Sequence, residues 1–121
     1  HFDYISRYAP YPDRKMRYNE IPEIFDQLFR YLIEWRKALE INTRTVSKLT
    51  KIGYAGIDAW PDPAIVRRYL ELGGELISLG SDAHHPPEAG GLISEGNCWL
   101  KSLGCQKIVH YESRRAILSP L

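Results

Sequence analysis

Leu79-Gly80-Ser81-Asp82-Ala83-His84-His85 is the stretch on which the reading of the fold turns. It closes the apolar run Glu75-Leu76-Ile77-Ser78-Leu79 and sets a carboxylate and an imidazole two residues apart, where a buried strand would stop. As a strand over 75–82, its period of two places Leu76, Ser78, Gly80 and Asp82 on one face and Ile77 and Leu79 on the other. In a parallel barrel the oily face packs under helices. The small polar face points into the lumen and carries Asp82 and His84 up to the mouth. Asp-x-His offers an oxygen and a nitrogen donor to one or two divalent ions, a mixture suited to Zn, Fe or Mn. The same residues also suit a plain turn, because Ser, Asp and Gly are common where strands end and His84, His85, Pro86 and Pro87 read equally as a solvated loop. A two-ligand motif is weak beside a four-ligand zinc signature, so spacing alone leaves both readings open.

Upstream of this strand, Asp62 caps a helix that has Pro63 at its first position and ends at Gly73, with Ile65, Val66, Tyr69, Leu70 and Leu72 on its buried side. Residues 38–42 form a short strand, Leu39 and Ile41 on one face and the polar pair Glu40 and Asn42 pointing inward. Between them, 43–60 reads as loop with a helical turn near 46–49, because Gly53, Gly56 and Pro61 argue against regular structure. A helix runs from Asn19 to about Lys37, with Pro22 and Glu23 in its first turn and Ile21, Ile24, Phe25, Leu28, Leu32 and Trp35 as a core stripe. Residues 6–17 are a basic, aromatic loop, and 1–5 read as the tail of a strand.

Downstream, 92–103 form a helix closed by Gly104, and 107–111 a last strand. Alternating strands and helices mean parallel pairing with right-handed crossovers, in an open doubly wound sheet or a barrel. No internal repeat and no glycine-rich phosphate loop is present.

The 121 residues suffice for one modest domain with its own core. A formal charge of +1 spread along the chain offers no tail for a nucleic acid or a membrane surface, and no apolar run is long enough to span a bilayer. Cys98 and Cys105 lack a CxxC spacing and read as reduced thiols, which fits a cytoplasmic protein. The chain opens on His1 with neither Met nor a signal peptide, so we expect a start that lies upstream.

Four pieces in this order resemble the polymerase and histidinol phosphatase (PHP) superfamily, and within it the histidinol-phosphate phosphatases: His1-Phe2-Asp3-Tyr4-Ile5, Ala38-Leu39-Glu40-Ile41-Asn42-Thr43, Leu79-Gly80-Ser81-Asp82-Ala83-His84, and Val109-His110-Tyr111-Glu112-Ser113-Arg114. The resemblance covers nearly the whole chain. It implies a distorted TIM-like (β/α)7 barrel of parallel strands with a multinuclear cluster of divalent ions at its C-terminal mouth. The family's opening His-x-His is not among the 4 His here. The resemblance therefore makes 1–121 the C-terminal portion of a single barrel domain whose N-terminal part is missing, with a strand edge uncovered and open to self-association.

Residue by residue, His1, Asp82 and His84 match metal ligands, and Asp82 is also the candidate to pass a proton to the leaving oxygen. Arg7 and Arg44 look like the arginines that hold the substrate phosphate; on residue type alone both read as surface residues. The implied activity is metal-dependent hydrolysis of a phosphomonoester, L-histidinol phosphate, in histidine biosynthesis. The alternatives are another phosphate ester on the same cluster, or a non-catalytic fragment. Tyr8, Tyr11 and Tyr18 are candidates to wall the substrate, although on residue type each reads more readily as a solvated or packed tyrosine; His85 lines an entrance or is a free surface residue, and His110 reads as structural.

Overall fold

The computed structural model describes residues 2–10 and 12–121, without the side chain of Ile57. The strand pair at its centre is β1 (Leu39–Asn42) and β2 (Ile77–Gly80), parallel, with Leu39 opposite Ile77, Glu40 opposite Ser78, Ile41 opposite Leu79 and Asn42 opposite Gly80. In this register the alternation expected from sequence holds. Leu39, Ile41 and Ile77 are buried, while a Cβ built on Gly80 would approach the Glu40 carboxylate to 2.8 Å, so Glu40 and Gly80 share the polar face.

Helices α1 (Pro22–Glu34) and α3 (Pro63–Glu71) cover the oily face. Phe25 and Phe29 of α1 and Ile65, Val66 and Tyr69 of α3 meet Leu39, Ile41, Ile77, Leu100 and Cys105 in one core. Burying each such side chain contributes roughly 1.5–3 kcal/mol. The Asp62 side chain caps α3 as expected, accepting from the Ala64 N–H at 3.0 Å, and Gly73 turns the chain out of it at φ +90°. The sequence stripe on α1 is only half core. Ile24 is 62% and Trp35 58% exposed, because the face that meets α3 is the one carrying Phe25 and Phe29. Tyr18 and Glu20 bound a separate short 3-10 turn before the helix, so α1 starts at Pro22, where proline's fixed φ suits a first helical position.

Three expectations are corrected. Phe2–Arg7 is a 3-10 helix and not a strand tail. The stretch expected as loop contains helix α2 (Thr43–Lys51), initiated by Asn42, whose side-chain oxygen accepts from the Thr45 N–H at 3.2 Å, and anchored by buried Val46 and Leu49 against Ala59. The last strand, β3 (Lys107–Glu112), pairs antiparallel with β4 (Arg115–Pro120) and does not extend the parallel pair by hydrogen bonds. Helix α4 (Ile93–Ser102) precedes it, and Gly104, at φ +94°, ends that segment as expected. The described residues thus form a mixed α/β unit around a small parallel sheet. None of its helices is long and apolar enough to cross a membrane.

Candidate functional site

The C-terminal ends of β1 and β2 lie side by side, and the candidate residues sit on the turns that leave them. After β2 the chain passes through Asp82 in the left-handed region, φ +46°, a conformation Asp tolerates better than most residues. That turn brings the Asp82 carboxylate to 3.9 Å from His84 Nδ1, which also lies 2.9 Å from the Asp82 carbonyl oxygen. The carboxylate side chain is 20% exposed and the imidazole 61%, so the pair faces an open space above the sheet.

Arg44, in the first turn of α2, reaches across the parallel pair to this loop. Its Nη1 donates to the Asp82 carbonyl at 2.9 Å and also touches His84 Nδ1. Its guanidinium stands 3.9 Å from both the Asp82 and the Glu88 carboxylates. Glu88 accepts from the His84 main-chain N–H at 3.4 Å, and this bond, with the charges of Arg44, His85 and Lys48, holds its carboxyl below the usual range. Thr43 completes the brace by donating to the Gly91 carbonyl at 2.6 Å. The loop 81–91 is therefore tied to α2 at several points.

Arg7 touches the same strand-end turn from the N-terminal 3-10 helix. Its Nε donates to Thr45 Oγ1 at 3.0 Å and its Nη2 to Asn42 Oδ1 at 3.5 Å, with Tyr4 under its guanidinium at 4.5 Å. Nearby, Asp3 is 3% exposed and neither of its carboxylate oxygens has a hydrogen-bond partner among the described residues. Burial pushes its carboxyl up to about 6, with the Glu40 charge adding to the rise and Arg7 opposing it.

The structure thus brings Asp82, His84 and Arg44 together, and Arg7 reaches the adjoining turn from the N-terminal 3-10 helix. His1 lies outside the described residues, as does Tyr11. Among the described residues no group of three carboxylate, imidazole or thiol side chains stands together as a metal site. The pair present, one carboxylate and one imidazole, has the donor chemistry of zinc and suits a site that takes its remaining ligands from elsewhere. Tyr18 does not face this space: its hydroxyl donates to Asp26 at 2.9 Å, and its ring packs on the core. Tyr8 and His85 are exposed, and His110 is an exposed residue 3.2 Å from Glu112. Glu88, Thr43 and Asp3 are not singled out by the sequence. Only Asp3 carries a signal there, as the third residue of His-x-Asp.

No family model matches the chain. Relatives named histidinol-phosphatase do, along most of its length. It is 35% identical over 112 residues to a "Probable histidinol-phosphatase" of Clostridium acetobutylicum, covering 88% of this chain and 41% of that protein. It is 29% identical over 116 residues to the histidinol-phosphatase of Lactococcus lactis, covering 95% of this chain and 40% of that one. Among solved structures, that of histidinol phosphate phosphatase from Lactococcus lactis, complexed with zinc, L-histidinol and phosphate, superposes with a TM-score of 0.67 at 26% identity over 97% of this chain and 42% of the other. The chain spans about 40% of the length of the curated relatives it matches first. The resemblance seen in the motifs extends to sequence and to fold.

Proposed function

We infer that this chain, a homologue of the histidinol-phosphatases, is the C-terminal portion of a PHP-superfamily barrel enzyme that hydrolyses L-histidinol phosphate to L-histidinol and phosphate. The observation that carries the reading is the meeting of Asp82, His84 and Arg44 at the ends of two parallel strands, in a chain whose relatives bear that name. Residues 1–121 form one part of a single domain, a partial (β/α)7 barrel.

A phosphate monoester resists hydrolysis because its charge repels a nucleophile and its leaving alkoxide is basic. His1, Asp82 and His84 would hold divalent ions, Zn being the one named with the Lactococcus structure. Such ions, when bound in a multinuclear cluster, supply Lewis acidity that makes water a nucleophile near neutral pH and neutralises phosphoryl charge. The chain's own residues supply the rest. Arg44 and Arg7 each present a planar fork that matches two phosphate oxygens, which fixes the phosphorus for in-line attack and offsets the dianion. Both forks are already oriented, Arg44 by the Asp82 carbonyl and Arg7 by Thr45 and Asn42, so little ordering is left for the substrate to impose. Asp82 is the carboxyl assigned to pass a proton, taken up from the attacking water, to the departing oxygen as the O–P bond breaks.

The full-length protein containing this segment, assayed with Zn, Fe or Mn against a panel of phosphate esters, tests the proposal. Preference for L-histidinol phosphate is the expected result. Equal turnover of unrelated esters would move the assignment to a phosphoesterase of other substrate. The segment alone, with part of the ligand set, should not turn over.

A further inference from the structure

We propose that Lys48 and Lys51 form, with Arg44, a cationic ramp along α2 that captures the substrate's phosphate group and passes it to the Asp82–His84 loop. The inference rests on the phosphatase reading and deepens it. Residues 44, 48 and 51 recur at helical spacing on one face of α2. Together with Ser47, Ser81 and Glu88 they line an open groove of about 110 Å³ between that helix and the loop after β2. The groove has room for several waters or one tetrahedral oxyanion.

The charge in this groove is unbalanced in a specific way. Arg44 is countered by the Asp82 and Glu88 carboxylates, each 3.9 Å away. Lys48 and Lys51 have no ion-pair partner among the described residues, and both are exposed. A net charge of only +1 over the whole chain makes this a local excess and not a property of a basic protein. The Ser81 hydroxyl accepts from the Gly90 N–H at 3.3 Å, which leaves its own O–H to donate to an oxyanion. Like charges at i,i+4, as in Arg44 and Lys48, repel each other on an exposed helix. The place of both lysines in the last turn does complement the helix dipole, which bears on stability and not on phosphate affinity.

A dianionic phosphate entering over Lys51 and Lys48 exchanges water for these ammonium groups before it meets the Arg44 fork. A groove in which three cations outnumber the one lining carboxylate, Glu88, raises local anion concentration, and salt screens the effect over about 10 Å at 0.1 M.

The test uses the full-length protein. Inorganic phosphate binding is measured by calorimetry, and kcat/KM for a phosphomonoester by initial rates, each at low and at high salt. The variants are Lys48→Gln/Lys51→Gln and Lys48→Arg/Lys51→Arg. At low salt the Gln pair should weaken phosphate binding and lower kcat/KM by about three- to tenfold. The deficit should vanish at high salt, and the Arg pair should restore both quantities. Phosphate affinity and salt slope equal to wild type in the Gln pair would overturn the ramp. If the wild type hydrolyses no phosphomonoester, the phosphatase reading falls, while calorimetry still judges the ramp by itself.

Discussion

Arg44 Nη1 donates to the main-chain carbonyl of Asp82 at 2.9 Å, so the first turn of one crossover helix holds the loop that leaves the neighbouring strand. The bond spans the β1–β2 pair and fixes the arginine fork beside a carboxylate and an imidazole.

Arg44→Ala should weaken binding of a phosphate ester by about 1.5–3 kcal/mol for each charge-assisted hydrogen bond removed, with metal content unchanged. Arg44→Lys should recover only part of this, since an ammonium lacks the planar fork. Substrate titration of the full-length variants beside metal analysis checks both statements.

Asn42→Ala removes the cap on α2 and one acceptor of Arg7. A loss of about 1 kcal/mol is expected from the cap. The gain from deleting the buried Asn42 Nδ2, which has no partner among the described residues, offsets part of it. Asn42→Asp keeps the capping oxygen and should be the milder change in a urea unfolding series.

Gly74→Ala should be far more damaging than its size suggests. A Cβ there would stand 2.4 Å from the ring of Tyr69, which is 1% exposed and whose hydroxyl donates to the Leu76 carbonyl at 3.1 Å. The ring is pinned at both ends and cannot give way. Overpacking of this kind costs about 1–3 kcal/mol, read as a lower urea midpoint.

Asp26 gives stability a foot in acid. The Arg68 guanidinium, at 2.6 Å, and the Tyr18 hydroxyl hold its carboxyl down to about 2 from the ordinary 3.8. A depressed carboxyl stabilises the fold above its unfolded pKa and ceases to do so as pH falls toward its folded one. This contribution is therefore present above about pH 4 and lost between there and about pH 2. Asp26→Asn should flatten that part of the pH profile of the urea midpoint, and an unchanged profile would contradict the assignment.

Much of this was legible in the residues. Asp62 with Pro63 and Gly73 marked α3 at both ends, Gly104 marked the end of α4, and alternation at 38–42 and 75–82 gave the parallel pair its faces. Helix α2 was hidden because its Thr and Ser residues are weak helix formers, and its stability comes from the Asn42 cap and from Val46 and Leu49 against Ala59. The β3–β4 hairpin was hidden because its turn lacks the usual signal. Ser113 and Arg114 take φ of +48° and +67°, a job normally given to Asn-Gly. At the candidate site, Asp82 and His84 stand out in the sequence by their type and spacing. Glu88 did not, since its role depends on a loop fold that brings it back to Arg44 and the His84 N–H.

The most direct measurement is metal content and hydrolysis of L-histidinol phosphate for the full-length protein and its Asp82→Ala variant, by elemental mass spectrometry and phosphate release. Loss of a ligand lowers metal affinity and misplaces the reacting water, so metal and activity should fall together. Full metal occupancy with undiminished turnover in Asp82→Ala would contradict the placement of the reaction at the Asp82–His84 loop.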